Sequence, residues 1–90
     1  MSQKLKILYF SAPWCGPCRV YKPAFIEVTN SFGDEIEVQM VDADEESQLL
    51  TDHAVRSIPT TIMFKDGKEV FRQVSIIDKK TLTDTIKKHK

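Results

Sequence analysis

The sequence predicts an α/β domain whose elements follow in the order β-α-β-α-β-β-α, with a four-stranded mixed sheet flanked by helices. A nearly continuous apolar run, Leu5–Ser11, is typical of a central strand. Apolar residues spaced by three and four then indicate a helix from about Gly16 to Phe32. Further along, two strand-like segments meet at Asp66-Gly67, which is a strong hairpin signal. Ninety residues leave room for one core, so we expect a single domain covering residues 1–90.

The first helix has one apolar stripe that is expected to be buried. The stripe consists of Cys18, Tyr21, Phe25, Val28 and Phe32. Pro17 suits the first turn of this helix, and Gly33 suits the position after its last turn. Pro23 lies inside the helix and is expected to kink it, because proline removes one backbone hydrogen bond.

The rest of the sequence predicts three more strands and two more helices. Residues 35–41 predict a second strand, with Ile36, Val38 and Met40 on one face and polar residues on the face toward water. The other predicted elements are a short helix at 46–53, strands at 60–64 and 69–74, and a last helix at 79–88 that Asp78 caps. We expect the first two strands to be parallel, through a right-handed crossover, and the last two to be antiparallel.

Composition narrows the classes of function. Thirteen basic and thirteen acidic residues balance, so no charged field points to nucleic acid. No apolar run in the sequence is long enough to span a bilayer. The apolar block at residues 7–10 follows two lysines, but it is too short for the core of a signal peptide. We therefore expect a cytoplasmic protein that binds neither nucleic acid nor a membrane. A monomer is also expected, although no sequence pattern decides the oligomeric state.

Cys15 and Cys18 are the most informative residues of the chain. A helical turn brings residues three apart to about 5–6 Å, which is within reach of a disulfide. An extended segment would hold them about 10 Å apart. In a reducing compartment, this spacing indicates redox or metal chemistry rather than a structural crosslink. We therefore expect the pair at the start of the first helix, alternating between dithiol and disulfide.

A zinc half-site is the competing interpretation of the two cysteines. Zinc in structural sites takes four ligands, and the other candidates in the chain are His53 and His89. Their positions do not match the usual spacing of a zinc finger. The sequence therefore favours redox chemistry over a metal site.

Several short motifs together give the chain a resemblance to the thioredoxins. These motifs are Trp14-Cys15-Gly16-Pro17-Cys18, Pro23, Asp42 and Asp44, Ile58-Pro59-Thr60, and Gly67. Their order and spacing fit the family without gaps from about Leu5 onward. The resemblance implies a thioredoxin-like fold. It also implies a thiol-disulfide oxidoreductase that reduces protein disulfides and serves in electron transport.

The resemblance implies a role for each site residue. Cys15 is expected to be the exposed nucleophile at the helix N-terminus, and Cys18 the less exposed cysteine that resolves the mixed disulfide. The other expected site residues are Trp14 as an apolar wall, Gly16 and Pro17 in the turn, and Ile58, Pro59 and Thr60 beside the substrate, with Ile58-Pro59 a cis peptide. No cofactor is implied beyond the Cys15–Cys18 disulfide. The implied partners are disulfide-containing client proteins and a reductase-based or glutathione-based system that recycles the dithiol.

Three features depart from the family pattern. Thioredoxins usually have another strand and helix before the first strand seen here, so the strand at 35–41 is expected to be a sheet edge. Tyr9 and Met40 stand where the family has a buried aspartate and a lysine, which leaves the proton acceptor of Cys18 unassigned. Ser75 stands where the family often has glycine beside the active site. It is expected to limit how closely a substrate backbone approaches.

Two other functions remain open from the sequence. A glutaredoxin-like enzyme would serve glutathione or one dedicated client such as ribonucleotide reductase, and the short chain favours this reading. A non-catalytic binding module would use the same fold as a scaffold, with the cysteines incidental. The intact Trp-Cys-Gly-Pro-Cys and Ile-Pro-Thr motifs favour the protein disulfide reductase.

Overall fold

The computed structural model describes residues 4–90, and its elements follow the predicted order. They are β1 (Leu5–Ser11), α1 (Gly16–Phe32), β2 (Ile36–Asp42), α2 (Ser47–Asp52), β3 (Thr60–Lys65), β4 (Lys68–Val74) and α3 (Lys79–His89). A short 3₁₀ turn, Gly33–Glu35, separates α1 from β2. Each boundary lies within about one residue of its predicted position. The domain predicted for residues 1–90 also includes residues 1–3, which lie outside the described residues.

The four strands form one mixed sheet in the order β2-β1-β3-β4. β1 pairs parallel with β2 and antiparallel with β3, and β3 pairs antiparallel with β4. β2 is therefore an edge strand, as predicted. In the parallel pair, Tyr9 lies opposite Met40 and Ser11 lies opposite Asp42. Because side chains on one face recur every second residue, these two pairs are neighbours on the same face of the sheet.

Apolar side chains attach helices to both faces of the sheet. On one face, α1 and α3 pack over a cluster whose largest side chains are Tyr9, Tyr21 and Phe25. On the other face, α2 places Leu49 and Leu50 against a second cluster. The stripe predicted for α1 is buried in full, and it comprises Cys18, Tyr21, Phe25, Val28 and Phe32. The site at the start of α1 thus rests on a helix whose inner face is fully packed.

β2 is less covered than its alternating pattern suggests. Ile36 is buried, but Val38 is 36% exposed and Met40 is 40% exposed. A groove of about 480 Å³ lies between α1 and β2, where Lys22 and Ile26 face these residues. The alternation assigned Ile36, Val38 and Met40 to a face away from water, and this is wrong for the last two. The reason is that β2 is at the sheet edge, beyond the width that α1 covers.

Local signals set the turns and the helix ends. Asp66 and Gly67 adopt φ values of 53° and 82°, the positive values that a two-residue hairpin turn requires. Asp78 caps α3, and its Oδ2 accepts a hydrogen bond from the Thr81 N–H at 3.1 Å. α1 continues through Pro23 as one helix. Within residues 4–90, none of the helices combines the length and the apolarity that a bilayer crossing requires.

Candidate active site

Cys15 and Cys18 lie at the start of α1, shortly after β1 ends. Cys15 is the N-cap residue, with extended backbone angles, and Cys18 lies in the first helical turn. The Cys18 N–H donates a hydrogen bond to Cys15 Sγ at 3.3 Å. The two Cα atoms are 5.3 Å apart, and the side chains are joined as a disulfide. The helical turn that the spacing predicts is therefore present.

Gly16 and Pro17 form the turn between the cysteines. Both lie in the first turn of α1, where the missing N–H of a proline has no intrahelical partner to lose. Apart from its two chain neighbours and the nearby backbone of α1, no described heavy atom lies within 4 Å of the point where a Gly16 Cβ would be. The turn is therefore open toward solvent beside Cys15.

Cys15 is more buried than the sequence predicts. Cys15 is 4% exposed and Cys18 is 3% exposed. Both cysteines pack with Ala12, while Ala43 and Ile58 lie against the same cluster. The predicted difference in exposure is wrong for this disulfide form, because the N-cap side chain turns back over the first helical turn toward the Cys18 N–H.

Trp14 lies beside the cysteines and is 63% exposed. Its indole N–H donates to both carboxylate oxygens of Asp44, at 3.1 and 2.9 Å. Asp44 is held in turn, because its own N–H donates to Asp42 Oδ1 at 2.8 Å. Sequence reasoning singled out Asp44 only as one of the residues that resemble the thioredoxins. It missed the contact with Trp14, because 30 residues separate the two and no local pattern links them.

The loop before β3 brings Ile58, Pro59 and Thr60 to the cysteines. The Ile58-Pro59 peptide bond is cis, and Ile58 packs against the cysteine cluster. Thr60 is buried, and its Oγ1 donates to the Ser57 carbonyl at 2.6 Å. The Ser75 N–H donates to the Pro59 carbonyl at 2.8 Å, which ties the end of β4 to this loop. The structure thus brings the residues singled out from the sequence to one end of the sheet.

Comparison with known proteins identifies the family. Residues 1–88 match the family model Thioredoxin. The chain belongs to the thioredoxin family. It is 41% identical over 80 residues to thioredoxin 1 of Synechococcus elongatus, an alignment that covers 89% of this chain and 75% of that one. It is 34% identical over 88 residues to the thioredoxin of Bacillus subtilis, covering 98% and 85% of the two chains.

A solved thioredoxin has the same architecture. The X-ray structure of Fasciola hepatica thioredoxin matches with a TM-score of 0.87 at 34% identity, over 97% of this chain and 82% of that one. Family membership and the Cys15–Cys18 disulfide together make the chain a thiol-disulfide oxidoreductase. Thioredoxins act on disulfides of proteins, are recycled by a reductase and need no cofactor.

Tyr9 and Met40 form no charged pair at the positions where thioredoxins have aspartate and lysine. Tyr9 is fully buried, and its ring stacks on Phe25 with the centroids 4.6 Å apart. No hydrogen-bond partner for Tyr9 Oη exists among residues 4–90. Burial raises the pKa of Tyr9, and the nearby Ser11 side chain, outside hydrogen-bond geometry, lowers it by less. The Tyr9 phenol is therefore neutral at physiological pH and is no base for Cys18.

A cavity of about 310 Å³ reaches Cys18 from the side of β2. Its polar and charged lining residues are Ser11, Arg19, Lys22 and Asp42. Met40, which is 40% exposed, is an apolar residue of its wall. Water therefore has a route to Cys18, although the residue as a whole is almost fully buried.

Ser75 stands where the family often has glycine, and its backbone adopts a conformation that suits glycine. Its φ is 82°, in the left-handed region that glycine adopts freely. A residue with a Cβ in such a region costs about 1–3 kcal/mol. The site thus keeps a strained, exposed serine directly beside Pro59.

The histidines considered as zinc ligands are not grouped with the cysteines. Within the part of the chain that the structure describes, no group of three or more His, Cys, Asp or Glu is placed to hold a metal ion. The His53 ring packs against Phe10 and Phe64, with centroid distances of 6.0 and 5.5 Å. His53 therefore belongs to the apolar cluster beneath α2.

Proposed function

We propose that the chain is a protein disulfide reductase in which Cys15 attacks the client and Cys18 releases it. The observation that supports this best is the position of Cys15 at the N-cap of α1, with the Cys18 N–H on its sulfur. Unpaired N–H groups and the positive end of the helix dipole stabilise a thiolate at this position. The thiolate is the nucleophile in disulfide exchange.

The reaction transfers two electrons from the dithiol to the client. The Cys15 thiolate attacks one sulfur of the client disulfide, forms a mixed disulfide and expels the other client sulfur as a thiolate. Cys18 then loses its proton and attacks Cys15 Sγ. The Cys15–Cys18 disulfide forms, and the second client sulfur leaves as a thiolate that takes up a proton. A reductase restores the dithiol.

The client is proposed to lie as an extended segment across the loop before β3. Ile58 packs against the cysteine cluster, so its backbone offers a segment beside the cysteines with which a client can pair. Pro59 and Thr60 fix that loop, and Ser75 stands beside it. A cavity of about 480 Å³ lined by Trp14, Arg56 and Ile58 supplies the apolar contact area.

The test is turnover of a protein disulfide with catalytic amounts of the chain. Reduction of insulin by dithiothreitol is expected to accelerate with the native chain. Cys15→Ser should abolish the acceleration, because no mixed disulfide forms. Cys18→Ser, mixed with insulin in the absence of dithiothreitol, should accumulate a mixed disulfide between Cys15 and the client, visible by mass spectrometry, because the resolving thiol is missing. If the native chain does not accelerate insulin reduction, the proposal is wrong.

The recycling partner separates this function from the glutaredoxin-like one. With NADPH and a thioredoxin reductase we expect efficient turnover, whereas glutathione with glutathione reductase should support little. Efficient turnover with glutathione and little with thioredoxin reductase would favour the glutaredoxin-like function. Unchanged biological function in a double Cys15→Ser, Cys18→Ser variant would instead favour the binding module.

We also propose that residues 1–90 fold as one monomeric domain in a reducing, cytoplasmic setting. A cysteine pair that must return to the dithiol suits such a compartment. The edge strand β2 has Glu37 and Gln39 between its apolar residues, which disfavours edge-to-edge pairing. Light scattering of the purified chain across a concentration series is expected to give the monomer mass.

A further inference from the structure

The resolving step requires that Cys18 lose a proton in a nearly closed environment. Cys18 is 3% exposed and packs with Ala12 and Cys15, while Ala43 and Ile58 lie against them. Apolar surroundings disfavour a thiolate, so the step needs an acceptor close by. Tyr9 is neutral and does not supply one.

A carboxylate lies one position further along the same face of the sheet. Tyr9 and Met40 are register partners, and the next pair on that face is Ser11 with Asp42. Two residues along a strand correspond to about 6.6 Å, toward the end where the cysteines lie. Asp42 and Ser11 both line the cavity of about 310 Å³ that Cys18 also lines. The cavity is large enough for several water molecules, each of which occupies about 30 Å³.

We propose that Asp42 accepts the proton of Cys18 through water in this cavity. This inference rests on the proposed reductase function and names the acceptor for its second step. The proton passes from Cys18 Sγ through water to the Asp42 carboxylate. The Cys18 thiolate then attacks Cys15 Sγ, and the departing client thiolate takes up a proton. Asp42 acts through water, so it is a positioning residue for proton transfer.

Hydrogen bonds and charges prepare Asp42 for this role. Its Oδ1 accepts from the Asp44 N–H at 2.8 Å and from the Glu45 N–H at 3.3 Å. These two bonds fix the carboxylate at the end of β2. Arg19 and Lys22 of α1 line the same cavity, and both cations favour the thiolate that remains on Cys18.

Several titratable groups surround Asp42 and would contribute to the pH dependence of the resolving step. Asp44 and Glu45 follow Asp42 in its own loop, and Arg19 and Lys22 face it from α1. From β1, the titratable side chain on the same face is the neutral phenol of Tyr9. Asp44 and Glu45 are negative, whereas Arg19 and Lys22 are positive, so a pH profile of the native chain combines several opposing effects. Removal of the Asp42 carboxylate alone isolates its contribution.

Asp42→Asn isolates the acceptor from the fold. Asparagine keeps an Oδ1 that accepts the two backbone hydrogen bonds, but its amide does not take a proton near neutral pH. Glu37→Gln is the matched control. It removes a carboxylate from the same strand, on the opposite face, where Glu37 lies 3.9 Å from Lys6.

The experiment follows both steps in one reaction. Reduced protein is mixed with a symmetrical aromatic disulfide whose released thiolate is coloured. The first equivalent released reports attack by Cys15, and the second reports attack by Cys18. In Asp42→Asn we expect an unchanged first phase and a second phase slowed by about tenfold to a hundredfold, since general base catalysis contributes on this scale. Imidazole or acetate added to this variant should restore the second phase, and Glu37→Gln should behave as the native chain.

Each outcome decides the inference. An unchanged second phase in Asp42→Asn overturns it. A slowed second phase that neither added base nor pH restores also overturns it, because that pattern indicates a structural effect. A slowed second phase that added base restores supports it. Failure of the proposed function is separate, since the native chain would then not turn over insulin whatever the coloured-disulfide phases show.

Discussion

The indole N–H of Trp14 donates to both carboxylate oxygens of Asp44, at 3.1 and 2.9 Å, across 30 residues of sequence. This bond fixes an exposed aromatic ring beside the Cys15–Cys18 disulfide. A hydrogen bond to a charged acceptor contributes about 1.5–3 kcal/mol when well shielded, and less at an exposed site. The contact therefore fixes the orientation of one wall of the site more than it stabilises the fold.

Asp44→Ala is expected to lower kcat/KM for protein disulfides by about threefold to tenfold, equivalent to roughly 0.6–1.4 kcal/mol. The reason is that Trp14 loses its fixed position and must be ordered again in each encounter. Trp14 is the one tryptophan of the chain, so intrinsic fluorescence reports this ring alone. In the variant we expect a shift in the wavelength of maximum emission. We also expect a larger fast component in the decay of fluorescence anisotropy, because the ring moves more freely.

Asp52→Ala is the control for Asp44→Ala. Asp52 accepts a hydrogen bond from the Gln48 side chain at 2.8 Å on the exposed side of α2, whereas Trp14 donates to Asp44. The control should leave both fluorescence and kcat/KM unchanged. Native kinetics in Asp44→Ala would show that the fixed ring is irrelevant to client binding.

The two buried tyrosines predict opposite effects of the same substitution. Tyr9 Oη has no hydrogen-bond partner within residues 4–90, whereas Tyr21 Oη pairs with Thr61 Oγ1 at 2.8 Å. A buried polar group left unpaired costs about 1–3 kcal/mol, and a paired one contributes about 1 kcal/mol. Tyr9→Phe should therefore raise the free energy of unfolding by about 1 kcal/mol, and Tyr21→Phe should lower it by a similar amount.

Urea unfolding of the oxidised protein measures both tyrosine variants. The two rings belong to one buried cluster, with their centroids 5.3 Å apart in an edge-on arrangement. The two substitutions therefore remove the same hydroxyl group from neighbouring positions, and each serves as the control for the other. Equal m-values are needed for the comparison. Destabilisation by Tyr9→Phe would mean that its hydroxyl has a partner in solution, and the structural account of Tyr9 would need revision.

Much of the fold follows from local patterns in the sequence. Steps of three and four mark α1, and Asp66-Gly67 marks the hairpin because its turn needs two positive φ values. Exposure at the sheet edge does not follow from such patterns. Val38 and Met40 alternate as buried residues do, but their exposure depends on how far α1 reaches.

In the active site, too, features set by neighbouring residues could be predicted from the sequence, and contacts between distant segments could not. The spacing of Cys15 and Cys18 predicts their turn, since that geometry is set within four residues. The bond from Trp14 to Asp44 joins distant segments and has no sequence signature. The N-cap conformation of Cys15 is local, but Ile58, which packs over the cysteines, comes from beyond α2. Contacts of this kind require the assembled fold.

Alkaline pH is expected to destabilise the protein through its tyrosines. The pKa of Tyr21 is raised to about 12, mainly by burial, with a smaller lowering by the hydrogen bond to Thr61 and a smaller rise from the interaction with Tyr9. Burial also raises the pKa of Tyr9. In the unfolded chain a tyrosine ionises near pH 10, so the unfolded state loses protons first as pH rises. Stability should be intact below about pH 10 and decrease from there toward about pH 12.

Phenolate absorbance of the folded protein checks the direction of these shifts. Tyr9 and Tyr21 are the only tyrosines of the sequence, so the phenolate band reports no other residue. We expect little phenolate until well above pH 10, and a sharp rise when the protein unfolds. A Tyr9→Phe, Tyr21→Phe double variant should lose the signal. Phenolate that forms near pH 10 in protein that is still folded would contradict the assignment.

Ser75→Gly is expected to relieve strain and open the site. Ser75 has a φ of 82°, which costs about 1–3 kcal/mol for a residue with a Cβ, while glycine costs about 0.4–1 kcal/mol through the unfolded state. The net change in the free energy of unfolding should lie between about zero and a gain of about 2.6 kcal/mol. Because Ser75 is bonded through its N–H to Pro59, removal of its side chain should also raise kcat/KM for protein disulfides.

Ala54→Gly separates the two effects of Ser75→Gly. Ala54 has a φ of 56° and so has comparable backbone strain, but it lies after α2, with its N–H bonded to the Thr51 carbonyl. We expect Ala54→Gly to change the free energy of unfolding as Ser75→Gly does and to leave kcat/KM unchanged. If both variants changed kcat/KM equally, stability alone would explain the gain. If neither changed it, Ser75 would have no part in admitting the client backbone.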